Sequence, residues 1–223
     1  MSLAETVVYS TIKGLSRVLC RVDDAQLARV PPTGPLILVA NHINFLDVPL
    51  IYTHLRPRQV TGFAKVETWN NPALGYLFTL GRAIPLHRGE ADVAALRAAL
   101  AELSAGRIVA IAPEGTRSGD GRLQRGRSGV VLLALRSGAP VLPLAYHGQE
   151  QFRQNVVRLR RTDFRIAVGR PFTLSDNMAK VTREVRQRMV DEVMYQVAAL
   201  LPPEYRGCYS DLSSATETYL RFV

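Results

Sequence analysis

Ala40-Asn41-His42-Ile43-Asn44-Phe45-Leu46-Asp47 follows directly on the apolar run Leu36-Ile37-Leu38-Val39. In a continuous helix, five steps leave the His42 and Asp47 side chains about 140° apart around the axis. On one strand they would point to opposite faces, because side chains there alternate with a period of 2. The spacing brings them together if a strand ends near Asn41, the chain turns, and Asp47 falls in the first turn of a helix. Asp47 then accepts a hydrogen bond from one ring nitrogen of His42, leaving the other free to take a proton.

Working outward, strands and helices alternate. A short helix runs from the turn to about Leu55, closed by Pro57, and Gln59 to Ala64 reads as a second strand. Lys65 to Pro72 is a loop, with Pro72 suited to the first position of a helix that runs to Leu80. Ala83 to Leu86 gives a third strand. Asp92 to Leu103 carries Val93, Leu96, Leu100 and Leu103 on one helical face. Ile108 to Ala112 is an apolar strand buried on both sides. A glycine-rich loop follows, then a helix to Ser137, strands over Val141–Tyr146 and Phe164–Val168, and a closing helix striped from Val181 to Leu200. Upstream, Val7, Val8, Ile12, Leu15, Val18, Leu19 and Val22 recur at helical spacing with Lys13, Arg17 and Arg21 between them. The expected fold is α/β: a single domain with a mostly parallel mixed sheet flanked by helices, preceded by an amphipathic N-terminal helix. Its expected divisions are a helical leader over residues 1–30, the domain proper over 31–201, and a tail over 202–223.

The motifs carry a family resemblance. Asn41-His42-x-x-x-x-Asp47 resembles the signature of the glycerolipid acyltransferases, which include the 1-acyl-glycerol-3-phosphate acyltransferases. Pro113-Glu114-Gly115-Thr116-Arg117-Ser118 resembles the family's second strong block, and Gly81–Arg88 and Val141-Leu142-Pro143-Leu144 resemble two weaker ones. All four fall in the family's order between about residues 35 and 148. The resemblance implies transfer of a fatty acyl group from acyl-CoA or acyl-carrier protein to the hydroxyl of a lysophospholipid, with 1-acyl-glycerol-3-phosphate as favoured acceptor and phosphatidic acid as product. It assigns His42 as the base and Asp47 as its orienting partner. It assigns Glu114, Gly115, Thr116 and Arg117 to the acceptor, with the N–H of Gly115 or Thr116 facing an anion. Arg88 is assigned to the acceptor phosphate and Lys65 to a donor or acceptor phosphate. The Gly81–Arg88 block departs from the family's pattern: six residues separate glycine from arginine, and His87 stands where an acid is usual. Arg82 therefore competes with Arg88, and an amine-bearing or glycosylated acceptor is the alternative. His87 itself reads as a surface residue.

The chain has 28 basic and 19 acidic residues, a formal charge of +9. This balance favours anionic partners such as headgroups, phosphorylated substrates or coenzyme A. It also suits a basic binding module that has kept the fold without activity. Aromatic residues do not interleave with the basic runs Arg117–Arg127 and Arg153–Arg170, so a single-strand nucleic-acid platform is not expected. Such runs are by default solvated, with substrate phosphate, coenzyme or headgroups as the alternative for the first. Cys20 and Cys208 have no metal-ligand spacing and read as reduced thiols, consistent with a cytoplasmic location. No secretory signal is evident, and no segment reaches 18 uninterrupted apolar residues. The expected enzyme needs no metal or redox cofactor and works peripherally on the inner face of a membrane.

Overall fold

A computed structural model describes residues 3–87, 92–175 and 182–223. In chain order, α1 (Leu3–Leu19) leads into β1 (Cys20–Asp23) and β2 (Leu36–Ala40), followed by α2 (Asp47–His54), β3 (Val60–Lys65), α3 (Pro72–Leu80) and β4 (Ile84–Leu86). Then come α4 (Val93–Ser104), β5 (Ile108–Ile111), α5 (Gly129–Ser137), β6 (Val141–His147), α6 (Phe152–Val157), β7 (Thr162–Val168), β8 (Phe172–Leu174), α7 (Arg183–Ala198) and β9 (Leu220–Phe222). Helix boundaries follow local chemistry. Asn71 caps α3 by accepting from the N–H groups of Ala73 and Leu74, with Pro72 in the first turn. Asp92 caps α4 by accepting from Ala95 N–H.

The strands form one sheet in the order β1-β7-β6-β2-β5-β3-β4, with β8 beside β6 and β9 beside β8. Pairing is parallel across β1–β7 and from β6 through β2, β5 and β3 to β4. It is antiparallel where β7 and β8 return along β6 and where β9 joins β8. All five residues of β2 are buried because both sheet faces are covered. Ile37 and Val39 face a core shared with α4, α5 and α7, while Leu36 and Leu38 face one shared with α2 and the β1–β7 edge.

Two local readings change. The N-terminal helix stops at Leu19, and Val22, which matched its apolar stripe, lies in β1, an edge strand in register with Thr162–Arg165 of β7. Short elements that the sequence pattern leaves as connections, α6, β8 and β9, are formed. The expected leader and tail thus each give a strand to the sheet. Pro143 lies within a central strand, where its missing N–H falls at the handover from β7, which pairs with Leu144–His147, to β8, which pairs with Val141. Among the described residues no helix is long and apolar enough to cross a membrane.

Candidate active site

Register places the site. Leu36 pairs with Ile108 and Val39 with Ile111, so β2 and β5 end side by side and release Asn41-His42 next to Pro113-Glu114. This is the carboxyl edge of the parallel strands, where α/β sheets hold ligands. Asn41 extends the β2–β6 pairing with its side chain: Oδ1 accepts from Tyr146 N–H at 2.8 Å and Nδ2 donates to Tyr146 C=O at 2.9 Å.

The turn then brings His42 Nδ1 to 2.7 Å from Asp47 Oδ2. The same oxygen accepts the N–H groups of Ile43 at 2.7 Å and Asn44 at 3.1 Å, and Oδ1 accepts Gln149 Nε2 at 2.9 Å. Asp47 is 3% exposed. A buried carboxylate that only accepts obliges Nδ1 of His42 to carry the proton, which leaves Nε2 as the basic nitrogen.

Glu114 holds the turn from the other side. Its Oε1 accepts His42 N–H at 2.8 Å and its Oε2 accepts Gln124 N–H at 2.9 Å, and the residue is 2% exposed. Two further bonds zip the blocks together, Ser118 N–H to His42 C=O at 2.8 Å and Gly119 N–H to Ile43 C=O at 3.1 Å. Glu114 therefore faces backbone and is not part of the cleft wall, a different place from the acceptor contact read from the sequence. Burial pushes its carboxyl pKa up to about 7 against the pull of the two N–H groups.

The cleft holds about 590 Å³, and His42, Gly115, Lys65, Arg127 and Arg186 are among its lining residues. Its other walls are largely apolar, with Ile51, Tyr52, Phe63, Phe78, Leu86 and Leu96. Gly115 has φ +71°, and a Cβ there would sit 3.1 Å from Cδ and Nε of Arg127. The absent side chain lets Arg127 lie against the turn. Gly115 N–H is already donated to Ala112 C=O at 3.0 Å, so it does not point at a ligand as the sequence suggests. Thr116 and Arg117 are exposed and lie outside the cleft lining, whereas Lys65 lies within it. Asp92, on the cleft wall, is held at about 2 by the N–H groups of His87 and Ala95, and His87 is exposed. Arg82, the competing cation, reaches Glu102 at 3.5 Å and is not on the cleft wall. Arg88 lies outside the described residues.

Sequence reasoning missed Gln149 and Arg186, and it left Arg127 between a solvated run and a contact for phosphate, coenzyme or headgroups. Gln149 is 102 positions from Asp47, and only the β6 register brings it there, so no local pattern announces it. Arg127 carried one usable signal, its place at the end of the glycine loop that closes on Pro113, whose C=O accepts Arg127 N–H at 2.9 Å.

A protein-family model described as Acyltransferase matches residues 21–147, more than half of the chain. The 1-acyl-sn-glycerol-3-phosphate acyltransferase of Limnanthes alba is 32% identical over 144 residues, covering 63% of this chain and 51% of the relative. The lyso-ornithine lipid O-acyltransferase of Pseudomonas aeruginosa is 33% identical over 115 residues, covering 51% of this chain and 43% of the relative. The chain thus spans about half the length of these two relatives. The crystal structure of the 1-acyl-sn-glycerophosphate acyltransferase from Thermotoga maritima has the same fold, with a TM-score of 0.64 at 24% identity over 88% of this chain and 80% of that one.

Proposed function

Because the chain belongs to the acyltransferase family, we propose that it moves a fatty acyl group from a thioester to the hydroxyl of a lysophospholipid, with 1-acyl-glycerol-3-phosphate as the acceptor. The observation that carries this reading is His42, fixed by Asp47 through Nδ1 and lining a largely apolar cleft whose wall also carries Lys65, Arg127 and Arg186. Nε2 takes the proton of the acceptor hydroxyl as its oxygen attacks the thioester carbonyl. Asp47 stabilises the imidazolium that forms. Collapse of the tetrahedral adduct breaks the C–S bond, and the proton returns from Nε2 to the departing sulfur. The new ester leaves as phosphatidic acid, and the free thiol of coenzyme A or acyl-carrier protein leaves with it. Lys65, Arg127 and Arg186 supply charge for phosphate, the guanidinium forks matching its oxygens. Glu114 acts through His42 by holding its backbone.

Thiol release from acyl-CoA, followed with the phosphorylated acceptor, tests the reading. His42→Ala should lose roughly 10²–10⁴-fold in rate, and Asp47→Asn should lower kcat far more than it raises KM. A His42→Ala protein with undiminished turnover would remove the mechanism. The Pseudomonas relative, named for a lyso-ornithine lipid, motivates a second reading with an amine-bearing acceptor. Running the assay with acceptors that carry or lack phosphate separates the two readings. Turnover restricted to phosphate-free acceptors would select the second.

A further inference from the structure

The helix α6 ends in an unusual way. Arg160 N–H donates to Asn155 C=O at 2.8 Å and Leu159 N–H to Val156 C=O at 3.1 Å, which is the closing pattern of a Schellman cap. In that cap the residue after the helix is left-handed and is usually glycine. Here it is Leu159, at φ +52°. A bulky side chain is disfavoured there, and Leu159 gains no packing in return, being 96% exposed. Val157, two residues earlier, is 84% exposed. Arg153, Arg158, Arg160 and Arg161 flank them in the sequence, and the segment from Gln151 to Thr162 contains no acid. The next acid, Asp163, is paired with Arg21 at 3.5 Å.

We propose that this turn docks on an anionic lipid bilayer, with Val157 and Leu159 entering between headgroups and Arg158 and Arg160 meeting lipid phosphates. An exposed apolar turn flanked by arginines matches the two layers of such a surface, acyl boundary below and phosphate above. The neighbouring surface fits the same partner. Arg161 donates to the carbonyls of Arg17 and Cys20 at 2.6 Å each, tying the turn to the end of α1, where Leu15 and Val18 are 57% and 68% exposed. At its other end α6 touches the catalytic turn, with the rings of Phe152 and Phe45 5.6 Å apart, which links the docking turn to that part of the site. The inference concerns binding and stands whether or not the chain transfers acyl groups.

Flotation of the purified full chain with vesicles of phosphatidylglycerol and phosphatidylcholine, against phosphatidylcholine alone, tests it. Leu159→Gly restores the residue the cap prefers, so the variant keeps its fold and melting temperature while losing about tenfold or more in partitioning. Arg158→Gln with Arg160→Gln removes the preference for the anionic vesicles. Leu159→Gly protein that floats like the unsubstituted chain overturns the proposal. So does sedimentation velocity, without vesicles, that finds a dimer which Leu159→Gly disperses, since the surface then belongs to a second copy.

Discussion

Glu114 stands between two opposed effects, since burial favours its neutral form and the N–H groups of His42 and Gln124 favour the carboxylate. Burial prevails and pushes the group up to about 7. In the unfolded chain it titrates near 4.5. Between these values the folded protein binds more protons than the unfolded one, so this group's contribution to stability falls as pH rises, by on the order of 3 kcal/mol across the window. Glu114→Gln has no such slope. Its amide also offers an N–H where an acceptor is needed, stranding one backbone donor at a cost of about 1–3 kcal/mol. Urea unfolding should therefore find the variant's deficit larger at pH 5 than at pH 7.5, and a deficit that does not change with pH would refute the assignment. Gln149 is the second residue with a sharp expectation. It is fully buried, and its Nε2 is the donor to Asp47 Oδ1. Gln149→Leu should lower kcat about tenfold with little change in KM, because it loosens the carboxylate that orients His42 and touches no acceptor. A change confined to KM would place Gln149 in acceptor binding instead.

The loop from Pro113 to Ser128 owes its shape to elements far away in sequence. Leu123 N–H donates to Tyr205 C=O at 2.9 Å and Cys208 N–H to Leu123 C=O at 3.0 Å. Gly126 N–H donates to the Tyr209 hydroxyl at 3.0 Å, which donates in turn to Asp191 Oδ1 at 2.9 Å. A Cβ on Gly126 would come within 2.5 Å of Val190 Cγ1, so the loop lies flat on α7. Tyr209→Phe leaves the Gly126 N–H buried without an acceptor and should cost about 1–3 kcal/mol, a melting temperature lower by roughly 2–4 °C for each kcal/mol. If calorimetry finds the variant unchanged, the tyrosine is not the loop's clamp. Nothing near Tyr209 in the sequence foretells this contact, which spans 83 positions. The elements that were legible, β2, α4, β5 and α7, are long or apolar enough for a period to appear. The three-residue strands β8 and β9 and the six-residue α6 are too short to repeat. At Val22 the period itself misled, because pairing of Cys20–Asp23 with β7 outweighs the local helical pattern.

Across the whole molecule, the two strong motif blocks were legible as partners because both sit at the ends of apolar strands, and neighbouring parallel strands place such ends together. Their supporting frame was not legible, since it is built by the return of the chain after α7. Glu192 shows what that return does. The carboxylate is 2% exposed and accepts from Thr216 Oγ1 at 2.6 Å, Thr218 N–H at 2.8 Å and Tyr219 N–H at 2.9 Å. Beyond these, β9 completes the sheet edge on β8, and Leu220 is buried in the α4–α5–α7 core. Removing residues 216–223 therefore strips a buried carboxylate of its donors as well as exposing a sheet edge. An uncompensated buried charge costs about 3–5 kcal/mol, a large share of a domain stability of roughly 5–15 kcal/mol. The truncated chain should melt at least about 6 °C lower or be recovered insoluble. Adding Glu192→Leu to the truncated chain should restore part of the loss, because it removes the charge that the tail no longer satisfies. A truncated chain that melts with the full one would show that the tail merely lies against the domain. Loss without any recovery by Glu192→Leu would move the effect to the β8–β9 pairing alone.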